Sequence, residues 1–581
     1  MKMPLKRHWD LLRSYLKPQR LKVGVLAVLL LSSIGLQLIN PQILRYFIDR
    51  AHGGGGVQVL LAAAGLFIGV ALLTQAVSVA ATYLGEQVGW SATNALRADL
   101  ALHCLELDMP FHNTRTPGEL IERIDGDVTA LSSFFSQLVI QVLGSILLLL
   151  GILVVLFRED WRVGAALSAF AVFALLVLNR TRDLAVPSFT AEREASANLF
   201  GFLEERLNGI EDIRANGGGT YAMGRLYHWM REFFRKARKA GLLGSAMWAI
   251  TTVLFTLGYA LTLGAGAYLF TVGSITIGTV FLFAQYTQML RRPLEEIAEQ
   301  MKEFQRASAS IGRVQELFQL RSTIQDGTGG HVPQGPLPVE FHNVSFGYSK
   351  EEMVLRNLDF RLERGTVLGL LGRTGSGKTT LTRLLHRLYD PTSGTIRLGG
   401  LPIHEARLEE LRQQVGIVTQ DVQLFQASVR DNLSLFDPSI SDERIAEVLR
   451  EVGLWEWCQS LPAGLDTELA PGGSGLSAGE AQLLAFTRVL LRDPGLVILD
   501  EASSRLDPAT ESLIERAIDR LLRNRTGIIV AHRLATVQRA DEIMILEDGR
   551  IVEHGAREQL ARDPESRFFH LLRTGLEEVL A

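Results

Sequence analysis

Cysteine is almost missing from this chain: two residues in 581, Cys104 and Cys458, lie far apart and without metal-ligand spacing. Neither has a His or Asp pattern beside it, so a disulfide framework and a nucleophilic thiol are not expected, and both read as buried thiols. A surplus of positive charge is missing too. The formal net charge is −4, which leaves nucleic acid without the basic footprint it needs as a main partner. Low-complexity tracts and short repeats are absent. The residues up to Lys22 are basic, but no small-residue cleavage site follows a short apolar run. They read as a cytoplasmic lead-in to a retained membrane helix rather than a signal peptide.

Apolar sequence is what abounds: 47% of residues are hydrophobic and mean hydropathy is +0.17. A chain this long exceeds one core, so two or more domains are expected, part in membrane and part in water. Six apolar runs crowd the first half, at 23–39, 57–84, 135–157, 163–178, 247–270 and 275–289. A spanning helix needs roughly 20 apolar residues, so the fourth and sixth are short and the count is about six. The joins at 49–58, 158–162 and 271–274 are brief, whereas 86–134 and 179–245 are long, charged and helix-prone. Lys and Arg concentrate in the N-terminus and in those two long segments, which puts them in the cytoplasm.

Gly and Pro gather at 321–338 and mark a linker. Beyond it no run is long enough to span. Short apolar runs at 367–371, 415–418, 496–499, 527–530 and 542–546 alternate with amphipathic helical patterns. That alternation is the signature of a parallel sheet with helices on its faces.

The run Gly372-Arg373-Thr374-Gly375-Ser376-Gly377-Lys378-Thr379 follows the first of these strands and opens a helical pattern at Thr380. Glycines let backbone N–H groups approach a phosphate chain, and a helix N-terminus adds positive potential. Lys378 is expected to reach the β- and γ-phosphates of ATP, and Thr379 to offer its hydroxyl to Mg²⁺. The strand at 496–499 ends in Asp500-Glu501. Behind a phosphate loop, Asp500 suits the Mg²⁺ shell and Glu501 suits polarising the attacking water.

Between them stands Gly475-Leu476-Ser477-Ala478-Gly479-Glu480, which resembles the signature sequence of ABC ATPases, usually Leu-Ser-Gly-Gly-Gln. The resemblance implies that Ser477 and Gly479 contact the γ-phosphate of ATP bound by another subunit. Tyr348 is similar to the aromatic residue that stacks on adenine, and Gln420 to the glutamine that senses Mg²⁺ and contacts the membrane domain. Ser504-Arg505-Leu506-Asp507 resembles the loop that communicates across the dimer, and His532 the histidine on the γ-phosphate, a catalytic role beside Glu501. In the membrane half, Phe111…Gly118-Glu119-Leu120…Arg123…Asp127 and Glu205…Gly209-Ile210…Ile213-Arg214 resemble the two cytoplasmic protrusions of ABC exporters. Membrane domain before ATPase domain is also typical of exporters. This sequence departs from the family at Ala478 and Glu480, and at Pro471, where bacterial exporters often carry a glutamate. A carboxylate at Glu480 pointing at a phosphate would weaken its binding by repulsion. An altered signature beside an intact Glu501 and His532 fits the hydrolysis-competent member of a heterodimer, which is favoured over a homodimer.

The expected architecture is a membrane all-α bundle of about six helices, exporter type, followed by an α/β P-loop NTPase domain of ABC type. Its expected divisions are 1–320 with long cytoplasmic helical extensions, the linker 321–338, and 339–581. The implied function is ATP-driven export of a small amphipathic molecule, peptide or lipid, with ATP and Mg²⁺ as cofactors. The expected partners are a second half transporter and the lipid membrane, with no nucleic acid. A bacterial inner membrane with N-terminus and ATPase in the cytoplasm is the implied location. Competing readings are an ATP-binding regulator of a membrane partner and a soluble-type ABC ATPase. The spans hold uncharged polar residues such as Gln37, Gln141 and Tyr286, so strongly charged cargo is not expected.

Overall fold

The computed structural model describes residues 13–131, 138–349, 352–419, 421–473, 475–500, 508–531 and 537–574. Two compact units divide the chain, Met1–Leu105 with Pro117–Leu320, and Glu106–Thr116 with Arg321–Ala581.

The first unit is built on six long helices: α1 (Arg20–His52), α2 (Val57–Glu106), α3 (Gly144–Glu159), α4 (Trp161–Asn208), α5 (Gly219–Thr271) and α6 (Ile277–Gln319). Among the described residues, α1 to α5 are long and apolar enough to cross a membrane, α1 counted with the turns from Arg13 and α3 with the turn from Gln141. The start of α6 is apolar only until Arg291, Arg292, Glu295 and Glu296, so its run stays short. The fourth run looks short for a different reason: α4 carries straight on into charged sequence, because helix formation does not stop where lipid does.

Short joins need good caps. Asp160 alone separates α3 from α4 and accepts the Arg162 amide at 2.8 Å. At the same end of the bundle, Arg45 pairs with Glu159 at 2.7 Å. Asp49 accepts the Gly278 amide and the Thr276 hydroxyl, each at 2.8 Å. That carboxylate sits at the N-terminus of α6, where the helix dipole favours it. Tyr286, fully buried, donates to the Leu38 carbonyl at 2.7 Å, so this polar residue joins two helices. Asp127 is buried and accepts from Ser310 and from Arg313 Nε, both at 2.9 Å, tying its segment to α6.

The second unit contains β1 (Val339–Phe346), β2 (Leu355–Leu362), β3 (Val367–Leu371), β4 (Ser393–Leu398), β5 (Leu401–Pro402), β6 (Val415–Val418), β7 (Leu496–Asp500), β8 (Thr526–Val530), β9 (Glu542–Glu547) and β10 (Arg550–Ala556). The main sheet runs β10-β9-β3-β8-β7-β6, parallel except for β10. Each of the five apolar runs forms a strand of it. A second sheet, β2-β1-β4-β5, is antiparallel and was not expected. Its strands alternate buried and exposed residues, as in Leu355–Leu362, so no continuous apolar run announces them. Val332 and Leu337, inside the Gly/Pro-rich segment, are buried in the core between the sheets. Cys104 and Cys458 are both buried, and neither forms a disulfide.

Candidate nucleotide site

Register brings the chemistry to one edge. Leu370 pairs with Val530, and Val530 with Asp500, so β3, β8 and β7 end side by side. The phosphate-loop sequence leaves β3 and Asp500 ends β7, with β8 between them rather than in direct contact, roughly 10 Å away.

Gly372, Gly375 and Gly377 have φ of +147°, +84° and +105°, a region open to glycine. A Cβ at Gly372 would lie 2.3 Å from the Leu546 carbonyl oxygen. The backbone therefore wraps into a cradle before α7 (Lys378–Leu385) begins. Within the cradle Ser376 is buried and its hydroxyl has no partner among the described residues. Lys378 is also buried, its ammonium donating to the carbonyls of Gly372 at 2.6 Å and Arg373 at 3.0 Å. Arg373, Thr374, Gly375 and Thr379 are exposed along the rim. An orphaned hydroxyl, a buried ammonium and a helix N-terminus on a glycine cradle fit a phosphate chain, and exposed Thr379 fits a metal ion carried with it. At the far end of α7, His386 is buried, with Nε2 unpartnered; burial, then Arg412 and Arg492, push it down to about 4.

Tyr348 is 47% exposed. Its hydroxyl lies 3.1 Å from Thr380 Oγ1 and accepts from Arg383 at 3.0 Å, which pins the ring beside α7. Phe346 and Tyr389 meet it edge-on at 5.0 and 5.2 Å. Tyr389 accepts a short hydrogen bond from Asn113. Asp108, the third residue of Glu106–Thr116, caps the helix Met109–Asn113 and accepts from the Thr323 amide and hydroxyl, each at 2.6 Å. Burial raises its carboxyl, but the Thr323 and Phe111 hydrogen bonds outweigh that and hold it below the usual range. Sequence reasoning missed Asp108, Asn113, Thr323 and Tyr389. Only the cap was readable, from Asp before Met-Pro.

Ser477 caps α8 (Ala478–Arg492) in a capping box. Its hydroxyl accepts the Glu480 amide at 3.2 Å, and Glu480 Oε2 accepts the Ser477 amide at 2.7 Å. The same carboxylate oxygen accepts a hydrogen bond from the Ser477 hydroxyl at 2.9 Å. Glu480 is therefore turned back onto its own helix end, and Gly479 is buried behind it. Pro471 stands in a turn with Gly472 and Gly473 at φ of +66° and +74°. Glu501, Gln420, His532 and 504–507 lie outside the described residues. The second protrusion sequence, with Gly209 ending α4 and the helix Ile210–Ala215 following, belongs to the first unit, whereas Phe111 belongs to the second.

The family model for the ABC transporter transmembrane region matches residues 23–294, and that for the ABC transporter matches residues 355–504. The ABC transporter ATP-binding protein YfiC of Bacillus subtilis is 32% identical over 573 residues, covering 96% of this chain and 92% of its own. The ATP-dependent lipid A-core flippase of Alcanivorax borkumensis is 30% identical, covering 80% of each chain. A fatty acid ABC transporter ATP-binding/permease protein of Mycobacterium bovis is 31% identical, over 80% of this chain and 74% of its own. The solved structure of a bacterial Atm1-family ABC exporter with ATP bound superposes with a TM-score of 0.77 at 25% identity, covering 96% of this chain and 98% of that one.

Proposed function

This chain belongs to the ABC transporter family, and on that premise we propose that it acts as one half of a dimeric exporter of small amphipathic molecules, peptides or lipids. It is an integral membrane protein whose ATPase hydrolyses ATP to drive export. The observation that carries the reading is the glycine cradle with the Ser376 hydroxyl unpartnered among the described residues and buried Lys378, on a chain whose described residues include five helices apolar enough to span. ATP with Mg²⁺ supplies the free energy, released when its terminal phosphoryl group passes to water.

Lys378 and Ser376 hold the phosphate chain, Thr379 and Asp500 face the metal with Gln420, and Tyr348 offers its exposed ring to adenine. Glu501 orients water and His532 steadies the terminal phosphate. Ser477 and Gly479 serve the ATP of the partner subunit. Binding that favours the closed dimer shifts the population towards an outward-facing cavity, and hydrolysis resets it. The N-terminus and ATPase belong in the cytoplasm of a bacterial inner membrane. Because Glu480 engages Ser477 Oγ, this signature gives its partner's ATP a weaker grip, which supports a heterodimer over a homodimer.

The test is ATP hydrolysis by the chain alone in lipid nanodiscs, with Glu501→Gln as control. Activity lost in the variant supports a self-sufficient homodimer. A folded, ATP-binding, inactive chain supports the heterodimer, and a chain that binds no ATP overturns the site.

A further inference from the structure

Beyond its phosphate cradle, α7 carries two polar side chains on one face, Thr380 and Arg383, three residues apart. Leu381, Leu384 and Leu385 beside them are fully buried in the core between the sheets. Thr380 is buried as well, whereas Arg383 is half-buried. Both reach the Tyr348 hydroxyl. Arg383 Nη1 donates to it at 3.0 Å, which leaves the phenol proton for Thr380 Oγ1, 3.1 Å away. Among the described residues no carboxylate lies within ion-pair distance of Arg383, and the Tyr348 oxygen is the one hydrogen-bond partner of its guanidinium. Phe346 and Tyr389 are nearly perpendicular to the Tyr348 ring, at 84° and 86°, so neither stacks on it, and the residue stays 47% exposed.

Resting on the reading of Tyr348 as the ring that takes adenine, we propose that Arg383 is a positioning residue for the nucleobase: through the phenol hydroxyl it fixes the ring in the orientation on which the base stacks. An exposed tyrosine is otherwise free to change rotamer, and ordering it at the moment of binding subtracts from affinity. The bond from the guanidinium is charge-assisted and stronger than a neutral one. Thr380 supplies a second anchor on the same helix, whose register the buried leucines set. Two hydrogen bonds at the phenol end and two aromatic neighbours thus settle the ring before nucleotide arrives. Orientation matters because stacking has no hydrogen-bond readout: every base offers a π-face, so affinity follows the placement of the ring. A base lying over the ring also removes water from the phenol end and strengthens the bond that holds it. Arg383 stands outside every motif, five residues past Lys378. Its spacing from Thr380 acquires this role only because Tyr348, two residues beyond the end of β1, meets that face of α7.

ADP and inorganic pyrophosphate share their phosphates and differ in the nucleoside, so the pair tests this directly. Binding of each, with Mg²⁺, is measured by titration calorimetry on the full chain in phosphatidylcholine nanodiscs. Arg383→Met keeps an unbranched, helix-forming side chain. It should weaken ADP binding roughly two- to tenfold, the cost of ordering one side chain, and leave pyrophosphate unchanged. Tyr348→Phe should lose at least as much, and adding Arg383→Met to it should cost nothing further, because both remove the same bond. Tyr348→Ala, which removes the ring, should cost roughly fivefold or more. An unchanged ADP affinity in Arg383→Met beside a weakened Tyr348→Ala overturns this inference alone. Equal losses for ADP and pyrophosphate put the guanidinium on the phosphates or in the fold, and a full second loss on the Tyr348→Phe background gives it a separate contact; either result overturns it too. An unchanged ADP affinity in Tyr348→Ala instead removes Tyr348 from the adenine, and the inference falls with that reading.

Discussion

In the membrane unit Leu61, Leu72 and Leu261 stand 67%, 67% and 72% exposed, whereas every residue of β3 and β8 in the nucleotide unit is buried. The same residue types obey opposite rules because their solvents differ. Lipid tails are as apolar as leucine, so hiding leucine in the bundle gains little, and helices associate through close contact and hydrogen bonds such as Tyr286 to Leu38. Water makes burial favourable by about 25 cal/mol per Å² of apolar surface, so the strands of the second unit disappear into two cores. Hydropathy thus reports location in the first unit and packing in the second.

Variants sharpen this contrast by acting on one unit and leaving the other intact. The largest effect is expected for Glu501→Gln, which should cut ATP turnover by roughly 10²–10⁴-fold while ATP binding and membrane insertion persist, read by phosphate release and nucleotide binding on the same sample. Undiminished turnover would remove Glu501 from its role. Protonation of His386 should come next. Its folded value lies below its unfolded one, so the unfolded chain binds the extra proton. Stability is complete above about pH 6.5 and falls as pH drops towards 4, by up to roughly 3 kcal/mol. Thermal unfolding of the nucleotide unit against pH should reveal that slope, and His386→Gln should flatten it. A pH-independent midpoint would break the assignment.

Lys378→Ala should weaken ATP binding about tenfold or more, by loss of charge-assisted hydrogen bonds, with α1 to α5 unaffected. Unchanged affinity in fluorescence titration would contradict the cradle. Asp108→Ala removes a helix cap and both Thr323 bonds, and should lower the stability of the second unit by about 1–2 kcal/mol in denaturant. Smallest is Glu480→Gln. It keeps an acceptor for the Ser477 amide but removes a charge, so ATP affinity of the dimer should rise a few-fold; a fall would mean the carboxylate helps the site.

The parallel strands were legible because strands buried on both faces read as continuous apolar runs, and the phosphate loop because its glycines need left-handed backbone. The antiparallel sheet was not. Strands such as Leu355–Leu362 expose every second or third side chain and mix charge with leucine, a pattern with no unique period. Within the site, Tyr348 was legible only through resemblance. Its neighbour Tyr389 comes from a separate segment, and the Asp108–Thr323 contact joins residues 215 positions apart in the chain; no local pattern encodes such pairings.

Sequence by itself determined that this chain crosses a membrane, that its second half folds as a nucleotide-binding α/β unit, and where the phosphate loop lies. Each of these depends on local composition, on periodicity or on a contiguous motif, properties carried by neighbours along the chain. Tertiary structure alone decided that residues 106–116 belong with the second unit, and that Glu86, Arg292 and Glu296 share one cavity. Those outcomes depend on side-chain direction and on contacts between distant segments, and they exist only once packing has chosen one arrangement.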